Sequence, residues 1–366
     1  MKVLVGLSGG VDSSVAALIL QQQFGASEVA GMFMKNWEED DTSVVCPTEL
    51  DAAVARQVAE ALAIRFYARN FATEYWDGVF EYFLAELRAG RTPNPDVLCN
   101  REVKFKTFLE HARALGAEFI ATGHYARKDQ RDGLFRLLRG RDSNKDQSYF
   151  LHALDQSQLA PALFPIGELE KPLVRKLAEQ AGLPTYARKD STGICFIGER
   201  NYTPFIQRYL RPNPGPMQTP LGVTIGLHNG LHCYTLGQRG GLHLGGVKGG
   251  SGAPWYVVGK DFASNTLIVN EGEHPALYSA KLRTSGAHWI AGVTPELPLL
   301  CTAKTRYRQP DQACRVEAMP DGGLEVTFER LQRAVTPGQF VVFYQDEVCL
   351  GGASISQSNA VYGGWQ

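Results

Sequence analysis

Apolar positions along this chain recur in two rhythms, and the switch between them divides the sequence. From Met1 to about Gly198, short apolar runs alternate with stretches whose apolar residues are spaced three and four apart, the pattern of strands alternating with amphipathic helices. Lys2 to Leu7 reads as a buried strand, and Val15, Leu18 and Ile19 mark one face of the helix behind it. Glu28 to Met34 reads as a second strand, followed by an acidic loop through Asp41. Thr48 and Asp51 have the spacing of a capping box ahead of Val54, Val58 and Leu62. Two further helical patterns run from Trp76 through Leu87 to Gly90 and from Phe105 through Leu115 to Gly116, each glycine standing where a helix commonly ends in a left-handed residue. Glu118 to Thr122 reads as a core strand ending at Gly123-His124, Asp132-Gly133 as a hairpin turn, and Pro172 as the start of a helix through Ala181.

Strands and helices in alternation imply an α/β fold, a doubly wound parallel sheet covered on both faces. Beyond about Asn201 the rhythm changes: proline and glycine become dense, as in Arg211-Pro212-Asn213-Pro214-Gly215-Pro216, and short β-branched or aromatic runs replace helical spacing. Two small β-rich units are the economical reading, with their boundary between Glu271 and Tyr278. The expected organisation is residues 1–200, 201–274 and 275–366, the last a β-barrel.

Composition narrows the function classes. An apolar content of 44% supports a folded protein, and no apolar run approaches the roughly 20 residues that cross a bilayer, so no membrane partner and a cytoplasmic location are expected. The net charge of −1 leaves no global nucleic-acid footprint, so any RNA contact must be local. Seven cysteines at irregular spacing make neither a disulfide framework nor a C-x-x-C metal site; any that matters should react.

The densest chemistry follows the first strand, in Ser8-Gly9-Gly10-Val11-Asp12-Ser13. Two adjacent glycines let backbone N–H groups converge, two hydroxyls add donors, and all sit at the positive end of a helix, which together make an anion cradle. The loop lacks the spacing and lysine of a Walker motif, which points to pyrophosphate rather than to attack on a γ-phosphate. An ordinary Gly-Ser turn would look similar. Two cysteines lie in turn-rich segments of the same region. One segment is Thr92-Pro93-Asn94-Pro95-Asp96-Val97-Leu98-Cys99-Asn100, and the other runs from Asp190 through Cys195 to Gly198, with Arg188 and Lys189 upstream to stabilise a thiolate. Singly, each could be an inert buried thiol. As a pair beside an anion loop they suit sulfur transfer, in which one thiol carries a persulfide and the other attacks it.

The loop resembles that of the N-type ATP pyrophosphatases, which cut ATP between the α and β phosphates and adenylate a carbonyl oxygen. With Asn94 to Asn100, Lys145 to Tyr149, Ser191 to Gly198, Thr305 to Gln309 and Thr336 to Gln339, the chain resembles the tRNA-specific 2-thiouridylases of that group from Ser8 to about Ile355. That resemblance implies an adenine nucleotide α-hydrolase-like first domain and ATP-dependent replacement of O2 by sulfur on the wobble uridine of tRNA. It implies that Gly6, Leu7, Ser8, Gly9, Gly10, Val11, Asp12 and Ser13 bind ATP, with Met34 and Gly123 near the adenosine and Mg²⁺ held mainly by the phosphates. It further implies that Asn94, Pro95 and Asp96 face the target base, with Asp96 moving a proton, that Cys195 carries the persulfide and that Cys99 attacks it. His124, Lys145, Asp146, Gln147, Tyr307, Arg308 and Gln339 would touch tRNA, and a cysteine desulfurase or sulfur-relay protein would supply sulfur. Without the resemblance, Arg306-Tyr307-Arg308 also reads as an exposed strand and Lys145-Asp146 as a solvated loop. At Gly240 the family often has a basic residue, which weakens a phosphate contact there. Another ligase of the loop group, or a tRNA-binding protein that uses ATP only as a conformational ligand, are the competing readings.

Overall fold

The computed structural model describes residues 1–38, 47–190, 202–244 and 251–364. Cys195, Cys46 and the end of the acidic loop therefore lie outside the described residues. In the first unit, β1 (Val3–Gly6), β2 (Val29–Lys35), β3 (Arg65–Asn70), β4 (Phe119–Ala121) and β7 (Ala162–Leu163) form a parallel sheet in the order β3-β2-β1-β4-β7. Side chains alternate across β1: Val3 and Val5 join one core with Val15, Val58 and Val174, while Leu4 joins the other with Phe80, Val103 and Phe108. Helices α1 (Val11–Phe24) and α2 (Pro47–Ala61), with the helix Lys171–Gln180, cover the first face. The helical stretches 72–88 and 95–114 cover the second. This is the doubly wound sheet that the alternation implies. Strand order reverses at β1, between β2 and β4, and in such sheets the crevice beyond the carboxyl ends at that reversal is where ligands bind.

Three local expectations need correcting. Helix α2 starts at Pro47, ahead of Thr48, so Thr48-Asp51 does not form a capping box. The Cys99 segment is not a turn: Pro95 opens a helix whose cap is Asn94, its side chain accepting from the Asp96 amide at 3.2 Å. Proline is tolerated at a first helical position because its missing N–H would be unpaired there anyway. Cys99–Thr107 then continues with π-helical hydrogen bonding before the α-helix Phe108–Ala114. The third correction concerns Arg306 to Arg308, which form a turn with Arg308 at φ 63, not a strand.

The hairpin turns at Asp132 (φ 52) and Gly133 (φ 81), joining β5 (Ala126–Arg131) to β6 (Leu134–Arg139). It extends another unit's sheet: β6 pairs with β18 (Val348–Ser358) through Leu138↔Val348 and Leu137↔Cys349. The middle unit is a four-stranded sheet, β10 (Trp255–Asp261), β11 (Thr266–Glu271), β8 (Gly215–Gln218), β9 (Thr224–His228), around Met217, Val257, Leu267 and Val269. The preceding helix Tyr202–Gln207 places Phe205 and Ile206 in the first unit's core. In the last unit β12 (Tyr278–Thr284), β16 (Leu324–Arg333), β15 (Gln312–Ala318), β14 (Leu299–Lys304), β17 (Phe340–Gln345) and β18 pair in that order, and β18 pairs back to β12. Six strands thus close a barrel over Val316, Val326, Val341, Phe343 and Ile355, which removes sheet edges. Among the described residues no helix is long and apolar enough to cross a membrane.

Candidate active site

The Ser8–Ser13 loop leaves β1 at the strand-order reversal and enters α1. Gly9 has φ +76, and a Cβ there would lie 2.7 Å from the Asp51 carbonyl oxygen, so the loop requires glycine for both conformation and space. The Ser13 hydroxyl donates to the Gly10 carbonyl at 3.1 Å and accepts from the Ser8 amide at 3.2 Å; the Ser14 hydroxyl donates to the same Gly10 carbonyl at 2.8 Å. These bonds hold the loop open as a ring at the positive end of α1.

Charge is arranged so that an anion is not repelled. Asp12 sits in the first turn of α1, where its carboxylate alone would oppose a phosphate. Lys171, only 7% exposed, donates to both Asp12 oxygens at 2.7 and 2.8 Å, and the Tyr125 hydroxyl donates at 2.8 Å. Burial, reinforced by the Asp12 charge, pushes the Tyr125 phenol far up, so it stays a donor. Lys171 also pairs with Asp190 at 2.7 Å, and Lys145 and Arg175 bind the same carboxylate at 2.8 and 2.7 Å. Arg188 donates to the Gly9 carbonyl at 2.9 Å and pairs with Asp51, so it secures the loop and is not a free thiolate partner.

Asp190 thereby anchors the chain immediately ahead of the Cys195 segment. Desolvation alone would raise its pKa, but the Lys145 and Lys171 hydrogen bonds outweigh it and draw the carboxyl down to about 2. A depressed carboxyl contributes stability that is complete above its unfolded value and is lost as pH falls through the folded one. Between about pH 4 and about pH 2 the melting temperature of Asp190→Asn is therefore expected to fall less steeply than that of the parent protein. Parallel melting curves over that window would contradict the assignment.

Gly123, at the end of β4, closes the cradle's other side: a Cβ there would stand 2.6 Å from the Ser13 amide nitrogen and 2.7 Å from the Asp12 carbonyl carbon. The Met34 methyl would lie 3.1 Å from a Cβ on Gly6, so Met34 packs against the end of β1 within the core over the second sheet face. Just beyond β2, Asn36 is 1% exposed and both its side-chain nitrogen and oxygen lack a partner. The Cys99 thiol is fully buried in the core over the second sheet face.

Three family models match the chain: the tRNA methyl transferase HUP domain over residues 1–199, the tRNA methyl transferase PRC-barrel domain over 203–271, and the aminomethyltransferase beta-barrel domain over 279–355. The chain is 58% identical over 361 residues to the tRNA-specific 2-thiouridylase MnmA of Nitrosococcus oceani, covering 98% of each. It is 56% identical over 358 residues to that of Idiomarina loihiensis, covering 97% of this chain and 96% of that one. The chain belongs to the tRNA-specific 2-thiouridylase family. A third relative with that name, from Xanthomonas campestris, is 58% identical and covers 98% of this chain and 94% of its own.

In this family member, several residues expected at tRNA make internal contacts. His124 is buried against Phe105 and Phe164 and shares a 2.7 Å hydrogen bond with the Thr122 hydroxyl; burial, then the Lys104 charge, hold it well below the usual imidazole pKa, so it is neutral. Asp146 accepts from the Gly140 and Ser148 amides at 3.0 and 3.1 Å and lies 3.8 Å from Arg139 and 3.9 Å from Lys304. The Gln147 side chain accepts from the Tyr125 amide at 2.9 Å and so positions the residue that binds Asp12. Tyr307 is half-buried against Phe150, with ring centroids 4.5 Å apart, while Arg306 and Arg308 are exposed beside it.

Gln339 reaches from the barrel to the segment ahead of the Pro95–Leu98 helix. Its amide donates to the Thr92 carbonyl at 2.7 Å, the Thr92 amide donates to the Pro337 carbonyl at 2.9 Å, and a Cβ on Gly338 would meet Thr92 backbone at 2.9 Å. The barrel loop thus clasps the chain that leads into Asn94, Pro95 and Asp96. Gln339→Leu leaves the Thr92 carbonyl without this donor, a loss of about 1 kcal/mol. A KM for tRNA raised about fivefold, with ATP affinity unchanged, is the expected result. An equal loss of ATP affinity would contradict it.

The ion pairs Asp12–Lys171 and Arg188–Asp51, the Thr92–Gln339 bond and the orphaned Asn36 escaped the sequence reading. Lone charged or amide residues in polar surroundings carry no spacing signature; only the isolated Lys171 ahead of Pro172 at a helix start, where a carboxylate is more usual, hinted at a distant anion.

Proposed function

We propose that the protein uses ATP to activate the O2 carbonyl of a uridine at the wobble position of tRNA and replaces that oxygen with sulfur, releasing pyrophosphate and AMP. The observation that carries this reading is the glycine cradle at the strand-order reversal, its one carboxylate neutralised by Lys171, in a chain 58% identical to a named 2-thiouridylase. The residues present suit ATP: the Gly9-Gly10 turn leads into the first-turn amides of α1, which no intrahelical bond uses, Gly123 leaves no side chain to obstruct them, and Asn36 offers an unused donor and acceptor that a base edge would satisfy. Mg²⁺ enters with the phosphates; among the described residues no cluster of His, Cys, Asp or Glu would hold it alone.

A uracil carbonyl oxygen is a poor leaving group. Its attack on the α-phosphorus expels pyrophosphate and converts it into an AMP ester, which departs readily. The terminal sulfur of a Cys195 persulfide, or hydrosulfide released from it as Cys99 attacks and forms the Cys99–Cys195 disulfide, adds to C2 as AMP leaves. In the first route Cys99 then attacks the Cys195 sulfur, releasing the 2-thiouridine and leaving a Cys99–Cys195 disulfide that a thiol reductant reopens. Asn94, Pro95 and Asp96 would face the base, with Asp96 carrying the proton, and the buried setting of Cys99 would keep water from the ester. The wobble base sits in a single-stranded loop, so drawing it into a pocket costs less than extruding a paired one. Tyr307 and Arg308 would touch tRNA from their turn, while Lys145, Asp146, Gln147, Gln339 and the buried His124, whose described contacts are internal, would hold the segments around the site. A cysteine desulfurase or relay protein would load Cys195, in the cytoplasm.

Incubation with ATP, a persulfide donor and unmodified tRNA is expected to yield one AMP and one pyrophosphate for each 2-thiouridine found by nucleoside analysis. AMP formed without thiouridine would instead favour another ligase of the loop group. Because the matching family models are described in terms of methyl transfer, a parallel incubation with S-adenosylmethionine and no ATP belongs in the experiment. Methylated uridine there would overturn the reading.

A further inference from the structure

Away from the cradle, two thiols face each other between neighbouring strands of the barrel. Cys301 on β14 and Cys314 on β15 are direct register partners, both free, with their sulfurs 3.7 Å apart. Directly opposed residues of an antiparallel pair have Cα atoms about 4.5 to 5.5 Å apart, inside the span a disulfide bridges, so closure needs side-chain rotation and a small approach. The Cβ atoms of such a pair stand about 4.5 to 5.5 Å apart, wider than a relaxed disulfide prefers, which makes the bond readily reducible. Cys314 is 4% exposed and Cys301 is more open, so a reagent meets Cys301 first. The hydrogen bond the two thiols share favours the thiolate on the more open Cys301 and, with burial, pushes Cys314 up. The pair stands at the base of the turn Thr305 to Gln309, since β14 ends at Lys304 and β15 begins at Gln312.

We propose that Cys301 and Cys314 form a reversible cross-strand disulfide that locks the base of the turn carrying Tyr307 and Arg308. The oxidant is a small disulfide such as oxidised glutathione. The Cys301 thiolate attacks it, one glutathione leaves as thiolate, and the Cys314 sulfur, giving its proton to solvent, displaces the second from Cys301. Two cysteine thiols are oxidised as one glutathione disulfide is reduced to two thiols. That this alters tRNA binding rests on the tRNA-contacting role proposed above for the turn.

The test equilibrates the full-length protein with oxidised glutathione, alkylates the remaining thiols and digests with trypsin. The expected product joins the peptide 284–304, containing Cys301, to the peptide 309–315, containing Cys314, at the summed mass less two hydrogens, and dithiothreitol separates them. Two alkylated cysteines, or glutathione retained on Cys301, would overturn the proposal. In parallel, the dissociation constant for tRNA is expected to differ at least about fivefold between oxidised and reduced protein. Cys301→Ser should show no such difference. Unchanged affinity in a protein whose cross-linked peptide is present would overturn the coupling to the turn, while the mass measurement, which needs no tRNA, judges the disulfide itself.

Discussion

Replacing Cys99 or Cys195 by serine is expected to lower 2-thiouridine formation by at least about 10³-fold while leaving tRNA-dependent release of pyrophosphate measurable. A hydroxyl neither carries a persulfide sulfur nor forms a disulfide, so the sulfur transfer proposed above would have no route around either residue. In the mechanism proposed above, activation of the carbonyl would use the cradle and Asp96 and would involve no thiol. Cys99 is fully buried, so its serine variant places a hydroxyl in an apolar core and costs about 1 to 3 kcal/mol of stability. A melting curve taken beside the assay separates that effect from chemistry. Thiouridine formed by a folded Cys99→Ser protein at a tenth of the parent rate or more would remove this residue from the mechanism.

The second large effect is expected at Gly123. Alanine there puts a methyl carbon 2.6 Å from the Ser13 amide nitrogen and 2.7 Å from the Asp12 carbonyl carbon, and both neighbours are backbone that no rotamer change can move aside. Either β4 withdraws from α1 or the first turn of α1 shifts, and in both cases the convergent amides lose their geometry. A displacement of about 1 Å at a positioned site costs roughly 10²-fold. The expected outcome is an affinity for ATP lower by about that factor, measured by titration calorimetry, with the barrel still folded. Gly10→Ala is the contrasting variant: its nearest neighbour is the Ser8 hydroxyl at 3.4 Å, an ordinary contact, so it should bind ATP far better than Gly123→Ala. Equal affinities in the two variants would show that the close approach of β4 to α1 does not shape the cradle.

Much of the first unit was legible because its signals are local. The apolar run of β1, the glycine pair and the spacing of Val15 and Leu18 in α1 lie within about twenty residues, and each is a consequence of backbone sterics or one-sided burial. Strand β3 escaped because an edge strand reading Arg-Phe-Tyr-Ala-Arg-Asn, four of its six residues exposed, has neither an apolar run nor clean alternation. Strand β7 escaped because two residues make no pattern. The helix at Pro95 was misread because two prolines suggest a turn, although the second of them sits where a helix accepts proline best.

By itself, the amino-acid order determined the doubly wound sheet, the change to β-rich units near Asn201 and the glycine turn at the end of β1 that we propose as an anion cradle, since these follow from the periodicity of burial and the freedom of glycine. Only the tertiary structure decided which charges meet. Lys171 lies 159 residues from Asp12, Arg188 lies 137 from Asp51 and Gln339 lies 247 from Thr92. The same folding joins the β5–β6 hairpin to the barrel. Pairings of that kind are fixed by strand order, crossover and barrel closure, which bring together side chains that no interval along the chain relates.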